Sequence, residues 1–150
     1  MTISKNYDLE YISNTYIRHE FAICGIKTIE TQKSLGFGLL TETLQNLSIT
    51  SALMTNHKTI KGKTEYNYNF WEFKIPKQLG KFLICICFEK FENEIIEKGY
   101  FIFPNQLIKK LGSKNTISIF ESDISGIYSK EPKINKHKYF KNWRLIKNEE

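Results

Sequence analysis

Phe82-Leu83-Ile84-Cys85-Ile86-Cys87-Phe88 is the longest uninterrupted apolar run in this chain of 150 residues. It is far shorter than the ~20 residues a membrane-spanning helix requires. With no polar position to alternate against, the run reads as the central strand of a sheet covered on both faces. Before it, Pro76–Gly80 reads as a turn, and Tyr66–Ile75 alternates aromatic and polar residues as a one-sided strand does. After it, Glu89–Lys98 is charged and reads as a turn, and Gly99–Phe103 reads as a strand. Pro104 suits the start of a short helix through Leu111, with Gly112 beyond its end, and Asn115–Phe120 reads as a further strand.

Farther out, Asn46–Leu53 alternates, with Leu47, Ile49 and Leu53 on one face and Ser48, Thr50 and Ala52 on the other. Ser34–Leu40 reads as a strand or hairpin arm, and Thr55–Thr64 (TNHKTIKGKT) as a loop or exposed hairpin. Leu9, Ile12, Tyr16 and Ile23 follow a helical period after Asp8, a good N-cap, with Gly25 to end the helix, so a first helix is expected over 9–24. Ser122–Lys138 reads as an irregular connection, and Tyr139–Ile146 closes the unit. The expectation is one α+β domain over 1–150, with a mixed central sheet flanked by helices. Asn46–Leu53, Tyr66–Ile75 and Lys81–Phe88 are expected as neighbouring strands of that sheet, and the first helix is expected to pack on one of its faces.

Apolar residues at 41% and charged residues at 25% are ordinary for a globular chain and argue against disorder. The opening Met1–Tyr7 is polar, unlike a signal peptide. Cys24, Cys85 and Cys87 lack zinc spacing, and the last two belong to the apolar run, so they are read as packing groups. Free thiols without an export signal point to the cytoplasm. His19, His57 and His137 show no metal spacing, and His19 beside Glu20 is read as a surface neighbour. Gly36-Phe37-Gly38 lacks the lysine and hydroxyl residue of a phosphate loop and is read as a turn or close approach.

The net charge of +6 permits an acidic partner such as nucleic acid. Against this, 20 Lys stand beside 2 Arg, together with 21 Ile and 12 Asn, a profile that A/T-rich codons alone can produce. Few arginines also means few bidentate phosphate clamps. Two stretches concentrate the charge: Lys58, Lys61 and Lys63, and the segment Lys130–Lys147, which contains Lys133, Lys136 and Lys141. These six lysines are the candidate DNA-binding residues. Tyr139, Phe140 and Trp143 are expected to pack the tail onto the core.

The succession Phe70-Trp71-Glu72-Phe73-Lys74-Ile75, the apolar run, Tyr100-Phe101-Ile102-Phe103-Pro104 with its short helix, and Tyr139-Phe140-Lys141-Asn142-Trp143-Arg144-Leu145-Ile146 resembles small PD-(D/E)XK nucleases over about 47–146. The resemblance implies a restriction-endonuclease-like fold and, in active members, a Mg²⁺ site. That site takes a helix glutamate, a strand aspartate and an E/Q-x-K triplet, whose acids hold the metal while the lysine orients the attacking water. Glu20 matches the helix glutamate. The aspartate position falls near Gly36–Gly38, where no acid stands, and the triplet positions carry Ser48 and Thr50.

The resemblance therefore implies a degenerate site and a domain that binds DNA weakly, or a protein partner, with no metal or cofactor. Two alternatives stay open. One is an active Mg²⁺-dependent endonuclease of restriction or homing type, with Glu20, Glu72 and Lys74 catalytic, Glu20 and Glu72 as metal ligands and Glu42 or Glu65 as an additional acid. The other is a protein-interaction module.

Overall fold

The computed structural model describes residues 5–31, 38–111 and 115–147. Helix α1 (Lys5–Ile23) begins a turn earlier than its periodicity suggested, so Asp8 lies inside it rather than capping it. Its end is as expected. Gly25 takes φ 83°, its N–H reaches the Ala22 carbonyl at 3.0 Å, and the Ile26 N–H reaches Phe21 at 2.8 Å. This is a Schellman closure, completed by the buried pair Phe21 and Ile26.

Five strands form a mixed sheet in the order β1 (Thr28–Glu30), β2 (Leu39–Thr41), β3 (Asn46–Leu53), β6 (Phe82–Phe91) and β7 (Glu94–Pro104). All pairings are antiparallel except β3 with β6. A parallel pair needs a crossover, and here the crossover is itself a β-hairpin, β4 (Thr55–Lys61) and β5 (Thr64–Lys74). The hairpin joins β8 (Thr116–Phe120) in a second, antiparallel sheet of order β4-β5-β8.

The chain is therefore α+β, with three layers: α1, the mixed sheet and the smaller sheet. Between α1 and the mixed sheet lie Ile17, Phe21, Leu47, Ile84, Ile86 and Ile102, with Ile146 from the tail. Between the two sheets lie Trp71, Phe73, Leu83, Cys85, Phe101 and Ile119. Strand β6 supplies both clusters, so its apolar run is buried from Phe82 to Phe88. The sheets are stitched together at the Phe88 carbonyl, which accepts the Met54 N–H and the Trp71 indole N–H, both at 2.8 Å.

Two expectations need correction. Tyr66–Ile75 does not neighbour Asn46–Leu53 or Lys81–Phe88 in the central sheet, because β5 belongs to the second sheet. Alternation reports one buried face, which Trp71 and Phe73 provide, but it does not report which sheet that face belongs to. Glu89–Lys98 is not a turn either. Strands β6 and β7 extend through it, turning at Glu92 (φ 56°) and Asn93, and their charges sit on an exposed hairpin end where Lys98 pairs with Glu89 at 2.8 Å.

Helix α2 (Asn105–Leu111) follows Pro104 as expected; Gly112, Gly36 and Phe37 lie outside the described residues, as do 34–37 of the expected Ser34–Leu40 strand. The Ser122–Lys138 connection holds a short helix α3 (Glu121–Ser125), and a 3₁₀ turn follows at Lys136–Tyr139. The tail then pairs Phe140 with Phe101 along the outer edge of β7 and ends in α4 (Arg144–Lys147). Tyr139, Phe140 and Trp143 pack against the core, as expected. Among the described residues, no helix is long and apolar enough to cross a membrane.

Candidate functional site

The register of β3 against β6 sets Ser48 beside Leu83, Thr50 beside Cys85 and Ala52 beside Cys87. All six therefore point between the two sheets. Ser48 is only 1% exposed, and its Oγ accepts the Gly80 N–H at 2.8 Å. The loop carrying Gly80 lies directly on β3: a Cβ on Gly80 would stand 2.4 Å from the Asn46 carbonyl oxygen. Burial pushes the Cys85 thiol well above its ordinary pKa, with Cys87 adding to the rise; burial likewise raises Cys87, helped by the charge of Asp123. An interior that disfavours a thiolate also disfavours a carboxylate or ammonium. Neutral hydroxyls at 48 and 50 suit this environment.

Gly38 is the described part of the expected aspartate position. Its N–H reaches the Leu47 carbonyl at 2.8 Å, and a Cβ there would meet the Ile49 side chain at 2.9 Å. Glu20 is half-buried on α1, where its charge lies near the Tyr16 and Tyr100 hydroxyls. It thus belongs to the α1 side of the mixed sheet. Glu72 and Lys74 alternate with buried Trp71 and Phe73, so they lie on the outer face of the second sheet, paired with Ser118 and Thr116.

Glu20 and the Glu72/Lys74 pair are therefore separated by the thickness of both sheets, on the order of 10 Å for the sheet-to-sheet spacing alone. The structure does not bring them together as a metal site. Among the described residues, no group of three or more His, Cys, Asp and Glu side chains is placed to hold a metal ion. Glu42 pairs with Lys27 at 3.7 Å, and Glu65 faces away from Glu72 on β5.

The candidate DNA-binding lysines fall in two places. Lys58 and Lys61 are exposed on β4, and Lys63 sits in the two-residue turn Gly62-Lys63, where Gly62 takes φ 64°. Lys133 and Lys141 are exposed on the tail, as are Lys130, Lys138 and Arg144. Lys136, though a candidate DNA-binding residue, is mostly buried. Its Nζ donates to the Ser118 carbonyl at 2.9 Å, lies 3.8 Å from Asp123 and stands over the Phe120 ring, leaving 19% of the side chain exposed.

Asp123 is the polar hub that sequence reasoning missed. Buried at the third position of α3, it accepts the Phe120 N–H at 2.9 Å and the Tyr128 hydroxyl at 2.8 Å, and it pairs with Lys136. The His137 ring nitrogen Nδ1 lies 3.0 Å from the Asp123 carbonyl, and its ring stacks on Phe140. The signal available was an aspartate three residues after the end of the strand Thr116–Phe120, where a carboxylate can turn back to cap a helix. Comparison of the chain with protein-family models, curated proteins and solved structures gave no match.

Proposed function

We propose that this chain is a restriction-endonuclease-like domain that binds nucleic acid without hydrolysing it. The observation that carries this reading is Ser48. At the position where the resemblance expects a metal-binding acid, a buried hydroxyl is committed to the Gly80 amide. Supporting the fold assignment are the succession of α1, an antiparallel β1-β2-β3 and a parallel β6, and a β7 that runs through Pro104 into a short helix. Supporting non-catalysis is the separation of Glu20 from Glu72 and Lys74 by two sheets.

Binding rests on the tail, where Lys130, Lys133, Lys138, Lys141 and Arg144 are exposed against Glu131. Lysines so spaced contact phosphates and release counterions, which gives weak affinity without base readout. Three free thiols, two of them buried, fit a reducing cytoplasm.

Fluorescence anisotropy of a labelled duplex at several salt concentrations tests this. Binding weakens steeply with salt, and the triple variant Lys130→Ala, Lys133→Ala, Lys141→Ala lowers the slope of log affinity against log salt by up to ~3. The same duplex stays intact with Mg²⁺ or Mn²⁺. An unchanged slope, or no duplex binding at low salt, returns the domain to the protein-interaction reading. Metal-dependent cutting that Glu72→Ala abolishes overturns the non-catalytic reading.

A further inference from the structure

The outer face of the second sheet carries a row of aromatic side chains that packing does not require. Tyr66, Tyr68 and Phe70 follow one another at every second position of β5, so they share a face. The pairing sets His57 of β4 opposite Tyr68, and Phe120 of β8 opposite Phe70. Ring centroids stand 5.0 Å apart for His57 and Tyr68, 5.9 Å for Tyr68 and Phe70, and 6.1 Å from Phe120 to each of the last two. Tyr66 is 51% exposed, Tyr68 43% and Phe120 37%, so the row is open to solvent. From Tyr66 to Phe70 it extends about 13 Å at ~3.3 Å per residue.

Polar bracing of the hairpin is on the opposite face. There the Asn56 amide donates to Asn67 and Asn69, and the Asn69 amide donates to Glu121. The hairpin thus has polar cross-strand bonds in addition to its ring contacts. The arrangement also places the Glu121 and Glu65 carboxylates away from the aromatic side. On that side Glu72 is the one acid contributed by β4, β5 and β8, among the described residues. Lys61 and Lys74 share the face at its two ends, and Lys63 stands in the adjoining turn.

We infer that this face binds single-stranded nucleic acid, with two or three bases stacked on the Tyr66–Tyr68–Phe70–Phe120 row. Lys61 and Lys63 meet phosphates at the hairpin tip, and Lys74 does so at the far end. An exposed aromatic row flanked by cations suits an unpaired strand, whose bases expose their π-faces. A duplex keeps those faces stacked inside. The row meets the lysine-rich tail only at Phe120, over whose ring the mostly buried Lys136 stands; Lys130, Lys133 and Lys141, the tail lysines proposed to hold duplex DNA, are other residues.

The test is anisotropy on the full chain with three labelled probes of equal length: oligodeoxythymidine, oligouridine and a mixed-sequence duplex. At least one single strand binds more tightly than the duplex, and the tighter of the two identifies the sugar preferred. Tyr66→Thr and Tyr68→Thr, which keep a β-favouring residue, each weaken single-strand binding about 5- to 100-fold. Both leave duplex binding unchanged. Wild-type protein also quenches 2-aminopurine placed within the single strand, a readout that does not depend on any variant folding. The inference is overturned if neither single strand outcompetes the duplex, if folded Thr variants retain full affinity, or if binding occurs without quenching. The duplex arm reports on the tail by itself, so failure there leaves this result interpretable.

Discussion

The Oγ of Ser48 accepts the backbone N–H of Gly80 at 2.8 Å, joining β3 to the loop that leads into the central strand β6. One residue later the chain is tied to β3 again, by the Lys81 N–H on the Asn46 carbonyl at 2.8 Å. Ser48→Ala removes the acceptor and leaves a buried amide unpaired, a loss of about 1–3 kcal/mol. It is read as a lower urea midpoint at unchanged m-value. Ser48→Glu, which restores the acid that the resemblance expects, costs more, because it buries a carboxylate in a space closed by the Gly80 loop. An unchanged midpoint in Ser48→Ala would remove the structural role assigned to this hydroxyl.

The apolar run 82–88 was legible as the central strand because burial on both faces leaves a continuous apolar signature. Gly25 was legible as a helix end because its positive φ is a local requirement. Assigning β5 to the second sheet was not legible, since Trp71 and Phe73 would alternate identically in either sheet. The extension of β6 and β7 through Glu89–Lys98 was hidden for a related reason: a hairpin end exposed on both faces has no apolar pattern. At the candidate site, sequence alone shows that Ser48 and Thr50 are neutral. What Ser48 does instead depends on Gly80, which is distant in sequence and becomes its neighbour only when β3 and β6 align in parallel. The separation of Glu20 from Glu72 is likewise a property of layering. An E-x-K pattern carries no information about which side of a sandwich it occupies.

Cys85 and Cys87 lie between the sheets with their thiols pushed up by burial, whereas Cys24 near the end of α1 is half-exposed. A thiol reagent attacks the thiolate and needs access to it. In the native protein one thiol reacts rapidly with an aromatic disulfide reagent, and Cys24→Ser abolishes that phase. In denaturant all three react. Rapid labelling of a second thiol in Cys24→Ser would mean that the sheets separate on the timescale of the reaction, and would contradict the tight packing of β6 against the second sheet.

The Asp123 hub makes two further residues measurable. Lys136→Ala strips a mostly buried ammonium from Asp123 and from the Ser118 carbonyl, and destabilises the fold by about 1–3 kcal/mol. Lys133→Ala, on an exposed side chain of the same segment, stays within about 0.5 kcal/mol. The hub also confers a pH response. Burial, then the hydrogen bond to Asp123 and its charge, push Tyr128 up from 10.0 to about 12, against a smaller lowering by the His137 amide. A phenol harder to ionise when folded stabilises the native state fully below pH 10, and that stability is lost as pH rises from 10 to about 12. Tyr16, Tyr100 and the buried thiols of Cys85 and Cys87 are raised in the same direction, chiefly by burial, so alkaline unfolding has five contributors. Tyr128→Phe removes one of them. Thermal melts from neutral pH to beyond pH 10 then show a shallower alkaline decline in the variant than in wild type. A decline of identical steepness would show that Tyr128 ionises equally in the folded and unfolded chains, and that its bond to Asp123 does not persist in solution.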